Sequence, residues 1–93
     1  MHYVYILHST SLGRFYTGET INVETRLIQH NMGHYDGAST SIAKDWRVFL
    51  IISCTDKAQA LKVERFIKRQ KSSKFIRKLK DQPSIIEDVL RRF

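Results

Sequence analysis

The sequence predicts a small α+β domain built on an antiparallel three-stranded sheet flanked by helices. Three observations point to it. Two short aromatic and β-branched runs, Tyr3-Val4-Tyr5-Ile6-Leu7 and Phe15-Tyr16-Thr17-Gly18, flank a loop with turn chemistry, Ser9-Thr10-Ser11-Leu12-Gly13, as in a hairpin. A third apolar run, Trp46 to Ile52, follows after a polar interval. Most of the remainder carries helical periodicity with capping residues in place. Ninety-three residues make one domain with a modest core.

The hairpin brings Tyr5 near Tyr16. Direct pairing across the ladder would put both phenols on one face, and a slip of one residue would separate them. Asn22 then reads as the N-cap of a helix from Val23 to Met32, with Glu24 at its positive end and Gly33 at its stop. Val23 and Leu27 mark the inward stripe. His30 lies at its edge with Arg26 beside it at i, i+4, so both are expected to face the protein body. Ile28 falls outside the stripe. His34 to Asp45 reads as a polar loop, with Gly37, Ser39, Thr40 and Ser41, placed to touch a ligand. The continuous apolar character of the Trp46–Ile52 run predicts a central strand buried on both faces.

Asp56 caps the next helix, Lys57 to Gln70, whose apolar stripe is Ala60, Val63, Ile67 and Phe66. Glu64 falls on the border of that stripe. A shorter helix spans Ser73 to Lys80, and Pro83 starts a last one through Leu90. Residues 1–80 are thus expected to form the domain and residues 81–93 a C-terminal helical tail.

Sixteen Lys and Arg against nine Asp and Glu give a net charge of +7, which favours a polyanionic partner. Nine basic residues lie between Lys62 and Lys80, with Glu64 the only acid among them. Lys62, Arg65, Lys68, Arg69, Lys71 and Lys74 are the candidate nucleic-acid contacts. A membrane partner is not expected, because no charged helix has a clean apolar face opposite, and Val48–Ile52 is far too short to span a bilayer. The N-terminus lacks the pattern of a secretory signal. Cys54, the single cysteine, excludes an intramolecular disulfide and suits a reducing, cytoplasmic location.

Tyr5, Tyr16, Arg26, His30 and Glu64 form a set suited to phosphodiester hydrolysis. That reaction needs a water deprotonated and in line, charge stabilised on the phosphorane, and a neutralised leaving oxygen. An arginine presents a planar fork to phosphate oxygens. A single carboxylate suffices for Mg²⁺, which keeps several waters and takes further ligands from the phosphate. A phenol with cations and a proton-accepting histidine nearby serves as a base or positions the water. Each residue has an ordinary reading too: tyrosines pack in sheets, a lone histidine sits satisfied in a core, and Glu64 can pair with Lys68 at i, i+4. A zinc site on His30 and His34 is set aside, since Gly33 ends the helix and no catalytic Glu lies between them. Cys54 has no histidine partner and reads as a small buried residue.

The order of these residues strongly resembles a GIY-YIG nuclease domain: Tyr3-Val4-Tyr5, Tyr16-Thr17-Gly18, Thr20, Asn22, Arg26-Leu27, His30-Asn31 and Gly33. Trp46-Arg47-Val48 resembles the family's third strand, and Ala60 through Glu64 the helix that carries the acid. The likeness runs from Met1 to about Lys80 and is closest to the small stand-alone bacterial members. Tyr3-Val4 replaces Gly-Ile, and Thr17 replaces Ile. The resemblance implies that Tyr5 is the general base or positions the water, with Tyr16 as its partner. It implies that Arg26 stabilises the transition state, that His30 accepts or relays a proton, and that Glu64 is the sole protein ligand of one Mg²⁺ or Mn²⁺. Gly18 would permit a close approach at the end of the second strand. Many members place an Asn after the glutamate; here Arg65 to Lys80 contains none, and Gln70 and Lys71 stand nearest. The implied activity is a metal-dependent endonuclease acting on nucleic acid, DNA before RNA, with low or structure-dependent specificity. Large members carry separate recognition domains, so specificity here would be weak or come from a larger protein partner. Two rival readings are a catalytically inactive nucleic-acid-binding module of the same fold, and an accessory protein docking through Ser84 to Leu90. The sequence is silent on oligomeric state.

Overall fold

β1 (His2–Ser9) forms the middle of an antiparallel sheet in a computed structural model that describes residues 1–33 and 43–93. β2 (Arg14–Thr20) pairs along one side of it and β3 (Trp46–Cys54) along the other. Four consecutive residues of β1, Val4 to Leu7, are buried, so both faces of this strand are covered. The expectation that the third strand would be central is corrected here. β3 lies at an edge of the described sheet, and Val48 and Ile51 are exposed. An apolar run reports hydrophobicity but not the number of neighbours, and β1, not β3, receives the ladders on both sides. A register shift between Ile6 and Leu7 inserts Phe49 as an extra residue in β3.

The two faces of the sheet carry separate cores. On one, Val4, Ile6, Ile52 and Cys54 pack with Ala60, Val63 and Ile67 of α2 (Lys57–Gln70). Ile76 and Leu79 of α3 (Ser73–Asp81) join them, as does Val89 of α4 (Pro83–Arg92). On the other face, Tyr5, Leu7, Tyr16, Ala43 and Trp46 meet Val23 and Leu27 of α1 (Val23–Asn31). The expected caps are formed: Asn22 accepts from the Thr25 amide at 3.0 Å and Asp56 from the Gln59 amide at 2.8 Å. Ser72 caps α3 in the same way. α1 ends before Gly33, which has φ of +70°, and Ile28 is exposed as its off-stripe position requires.

α4 is folded onto the body. Ile85, Ile86 and Leu90 pack beside Val89, the Gln59 side-chain Nε2 donates to the Leu90 carbonyl at 3.1 Å, and the Phe93 ring lies 5.6 Å from Phe66. Its apolar stripe is therefore occupied within the chain rather than presented for docking. Among the described residues, no helix is long and apolar enough to cross a membrane.

Two polar clasps join distant parts of the chain. The Asp45 carboxylate accepts from the Ser9 hydroxyl (2.6 Å), the Ser11 hydroxyl (3.0 Å) and the Ser11 amide (2.8 Å), fixing the β1–β2 turn to the start of β3. These bonds hold the Asp45 carboxyl down at about 2. The Asn31 side chain accepts from the Trp46 amide at 2.8 Å and donates to its carbonyl at 3.0 Å, which anchors the end of α1 to the same strand. Residues 34–42, most of the expected polar loop and including His34, lie outside the described residues.

Candidate active site

The ladder decides how the two tyrosines meet. Tyr5 pairs with Gly18, and Tyr16 pairs with Leu7. The phenols are thus not direct partners but are offset by two residues, which keeps them on one face. Their ring centroids are 6.1 Å apart. Gly18 is the residue beneath the Tyr5 ring. A Cβ built on Gly18 would stand 2.7 Å from the Tyr5 oxygen and 2.8 Å from Cζ, closer than any side chain tolerates. The glycine is needed here for space.

His30 completes this cluster from α1. It is fully buried, its Nε2 lies 2.8 Å from the Tyr5 oxygen, and its ring centroid is 4.7 Å from that of Tyr16. Burial, with the Arg26 charge adding to it, lowers the His30 pKa to about 4, so the imidazole is neutral at pH 7. Arg26 lies one turn earlier, partly buried, and its Nε donates to Thr20 Oγ1 at 3.3 Å. The same oxygen accepts from the Asn22 amide at 3.1 Å. Thr20, at the end of β2, thus sets the reach of the guanidinium. Thr20 belongs to the motif, but nothing in its local pattern signals this role.

Glu64 arrives from α2, at the border of the helix's buried stripe as its spacing predicts. Its side chain is 16% exposed, and Lys68 Nζ lies 2.8 Å from its Oε2. Three of the other four residues, Tyr16, Arg26 and Glu64, act electrostatically on the Tyr5 phenol. Burial, then Tyr16, and also the Glu64 charge hold the Tyr5 phenol above its ordinary range, while Arg26 pulls it down. In this state, then, Tyr5 is a neutral phenol bonded to a neutral imidazole.

The basic residues divide around this cluster. Arg65, Lys68, Arg69 and Lys71 surround Glu64 and Leu61 in a groove of about 320 Å³. Lys68 and Lys71 also line a cleft of about 540 Å³ that runs from Tyr16 past Arg14 and Thr17 to Ser72 and Ser73. Lys62 and Lys74 are exposed on the surfaces of α2 and α3. Arg77 and Lys80 lie over the Phe15 and Phe49 rings at 5.2 and 4.5 Å. Gln70 bonds back to the Phe66 carbonyl of its own helix at 3.1 Å, so it does not take the place of the missing Asn, whereas Lys71 borders the cleft. Among the described residues, no group of three or more His, Cys, Asp or Glu could hold a metal ion. Of the five site residues, Glu64 is the carboxylate, and a lone carboxylate could hold only an ion that keeps most of its waters. Cys54 is buried at the end of β3, where burial pushes its thiol up.

Comparison with known proteins finds relatives of the chain. A family model described as the GIY-YIG catalytic domain matches residues 1–80. The chain is 31% identical over 81 residues to a UPF0213 protein of Syntrophus aciditrophicus (strain SB), covering 87% of this chain and 92% of the relative. It is 37% identical over 86 residues to a UPF0213 protein of Pectobacterium carotovorum subsp. carotovorum (strain PC1), covering 90% of this chain and 83% of the relative. No solved structure matches at comparable significance.

Proposed function

The chain belongs to the GIY-YIG family, and from that premise we propose that it is a divalent-metal-dependent endonuclease hydrolysing phosphodiester bonds in DNA, with low or structure-dependent specificity. The observation that supports this reading most is the convergence on Tyr5. His30 Nε2 is 2.8 Å from its oxygen, and Tyr16, Arg26 and Glu64 all act on the same phenol.

In the proposed reaction, Tyr5 orients the attacking water and takes its proton while passing its own to His30 Nε2. The imidazole must then carry its resting proton on Nδ1. A substrate phosphate beside Arg26 would offset the guanidinium charge that now depresses His30, and would raise its capacity to accept that proton. Arg26, oriented by Thr20, stabilises the charge that develops on the phosphorane. Tyr16 packs against His30 and positions the scissile phosphate over the cluster. Glu64 would hold the Mg²⁺ or Mn²⁺ ion, whose charge neutralises the phosphate and the leaving oxygen. The exposed cations around Glu64 and along the Tyr16 cleft would bind the backbone of the strand without reading its bases.

The test is cleavage of a panel of single-stranded, double-stranded, nicked and branched DNA and RNA, with Mg²⁺, Mn²⁺ or EDTA. The proposal expects metal-dependent cutting of at least one DNA structure. Two observations favour the inactive binding module as a second reading: Glu64 is paired with Lys68, and no Asn follows it. That reading expects binding across the panel and cutting nowhere.

A further inference from the structure

Lys68 stands where two clefts meet. Its ammonium lies 2.8 Å from the Glu64 carboxylate and 6.0 Å from the centroid of the Tyr16 ring. It lines both the groove that contains Glu64 and the cleft that leads away from Tyr16 between Arg14, Lys71 and Ser73. The Lys68 side chain is 52% exposed, so rotation about its flexible stem moves the ammonium from one to the other without repacking the core.

The charges make that movement consequential. Glu64 is a single carboxylate with one cation already on it, and Lys68 and a divalent ion cannot share it at contact distance, because their like charges repel. With its lysine half exposed to water, the pair is weak enough to be displaced. Beside the displaced ammonium lies the Tyr16 cleft, whose described lining includes Arg14 and Lys71 and no acid, and a strand phosphate is the anion that would draw it there.

We propose that Lys68 is the exchangeable counter-ion of Glu64. Without metal it neutralises the carboxylate. When a divalent cation takes Glu64, Lys68 transfers to a substrate phosphate in the Tyr16 cleft, next to the scissile one. Metal and nucleic acid therefore assist each other's binding, since the metal releases Lys68 from Glu64 to the phosphate and the phosphate draws Lys68 off the carboxylate that takes the metal, and the assistance is reciprocal. Lys68 is thus a positioning residue for the ion and a contact for the strand. This inference rests on the reading that Glu64 holds the ion.

The experiment is direct titration of Mn²⁺, followed by the electron paramagnetic resonance signal of the free ion, on wild type, Lys68→Met, Lys68→Gln, Arg65→Met and Glu64→Gln. Each is measured alone and with a short uncleavable phosphorothioate single strand. Without the strand, both Lys68 variants are expected to bind Mn²⁺ about two- to five-fold tighter than wild type, the worth of an ion pair with one partner open to solvent. Arg65→Met, which removes a neighbouring charge not paired with Glu64, is expected to gain less, and the strand is expected to erase the Lys68 difference. Equal affinity in wild type and the Lys68 variants, an equal gain in Arg65→Met, or a difference that persists with the strand would each overturn the exchange. In those cases loss of Mn²⁺ binding in Glu64→Gln leaves the metal reading standing. Glu64→Gln binding like wild type would overturn both.

Discussion

Tyr5 and Gly18 face each other across the β1–β2 ladder so closely that a methyl group on Gly18 would stand 2.7 Å from the phenol oxygen. The pairing ties the geometry of the proposed base to a residue with no chemistry of its own. Gly18→Ala must push the Tyr5 ring away and break its 2.8 Å bond to His30. Overpacking of this kind costs about 1–3 kcal/mol. The displaced phenol should slow cleavage on the order of tenfold to a hundredfold. Urea denaturation and single-turnover kinetics measure the two effects. A variant with wild-type rate would show that the position of Tyr5 is unimportant.

His30 gives the fold a pH dependence with a definite sign. Its pKa is about 4 in the folded chain against the ordinary 6.5, lowered by burial and then by Arg26. Its contribution is therefore complete above pH 6.5, falls as the unfolded chain takes up the proton first, and levels off below pH 4. The loss across that window is on the order of 3 kcal/mol. His30→Gln should flatten this part of the profile in denaturation experiments from pH 7 to pH 4. An unchanged profile would mean that His30 titrates normally.

Asp45 acts in a lower window. Its carboxyl, held at about 2 by bonds from Ser9 and Ser11, contributes stability above its ordinary value of 3.8 that is lost as pH falls through 2. Asp45→Asn should lower the Tm at pH 7 and have little effect near pH 2. Because the carboxylate clasps the β1–β2 turn to β3, the same variant should increase amide exchange at Ser11 and Leu12.

The outer cations of α2 should behave additively. Arg65→Ala and Lys71→Ala each remove an exposed charge, from the Glu64 groove and from both groove and cleft respectively. Each should weaken binding about equally across DNA sequences and reduce the slope of log K against log salt by about 1. Fluorescence anisotropy at several salt concentrations measures this. An unchanged slope would remove the residue from the interface.

The residues of the site were legible where helix periodicity applies. His30 beside Arg26, and Glu64 at the edge of the Ala60–Val63–Ile67 stripe, fall where a 3.6-residue repeat puts them. The strand relationships were less so. The offset of Tyr5 from Tyr16 depends on a register that either strand alone leaves open, and the exposed edge of β3 depends on which strand acquires two neighbours. The Ser9–Asp45 and Asn31–Trp46 clasps join residues far apart in sequence through polar side chains, which leave no periodic trace. Pro83 marks where α4 starts, but not that Val89 would be buried in the main core.

The central claim is that one carboxylate, brought to the tyrosine–histidine cluster by α2, makes this fold a metal-dependent nuclease. It is tested most directly by cleavage and binding measured side by side for wild type and Glu64→Ala, on the preferred DNA substrate with Mg²⁺ or Mn²⁺. Glu64 is not part of the buried core, so the variant should fold and bind DNA as wild type does, while cleavage falls at least about a hundredfold. Metal-dependent cleavage that survives in Glu64→Ala would contradict the claim.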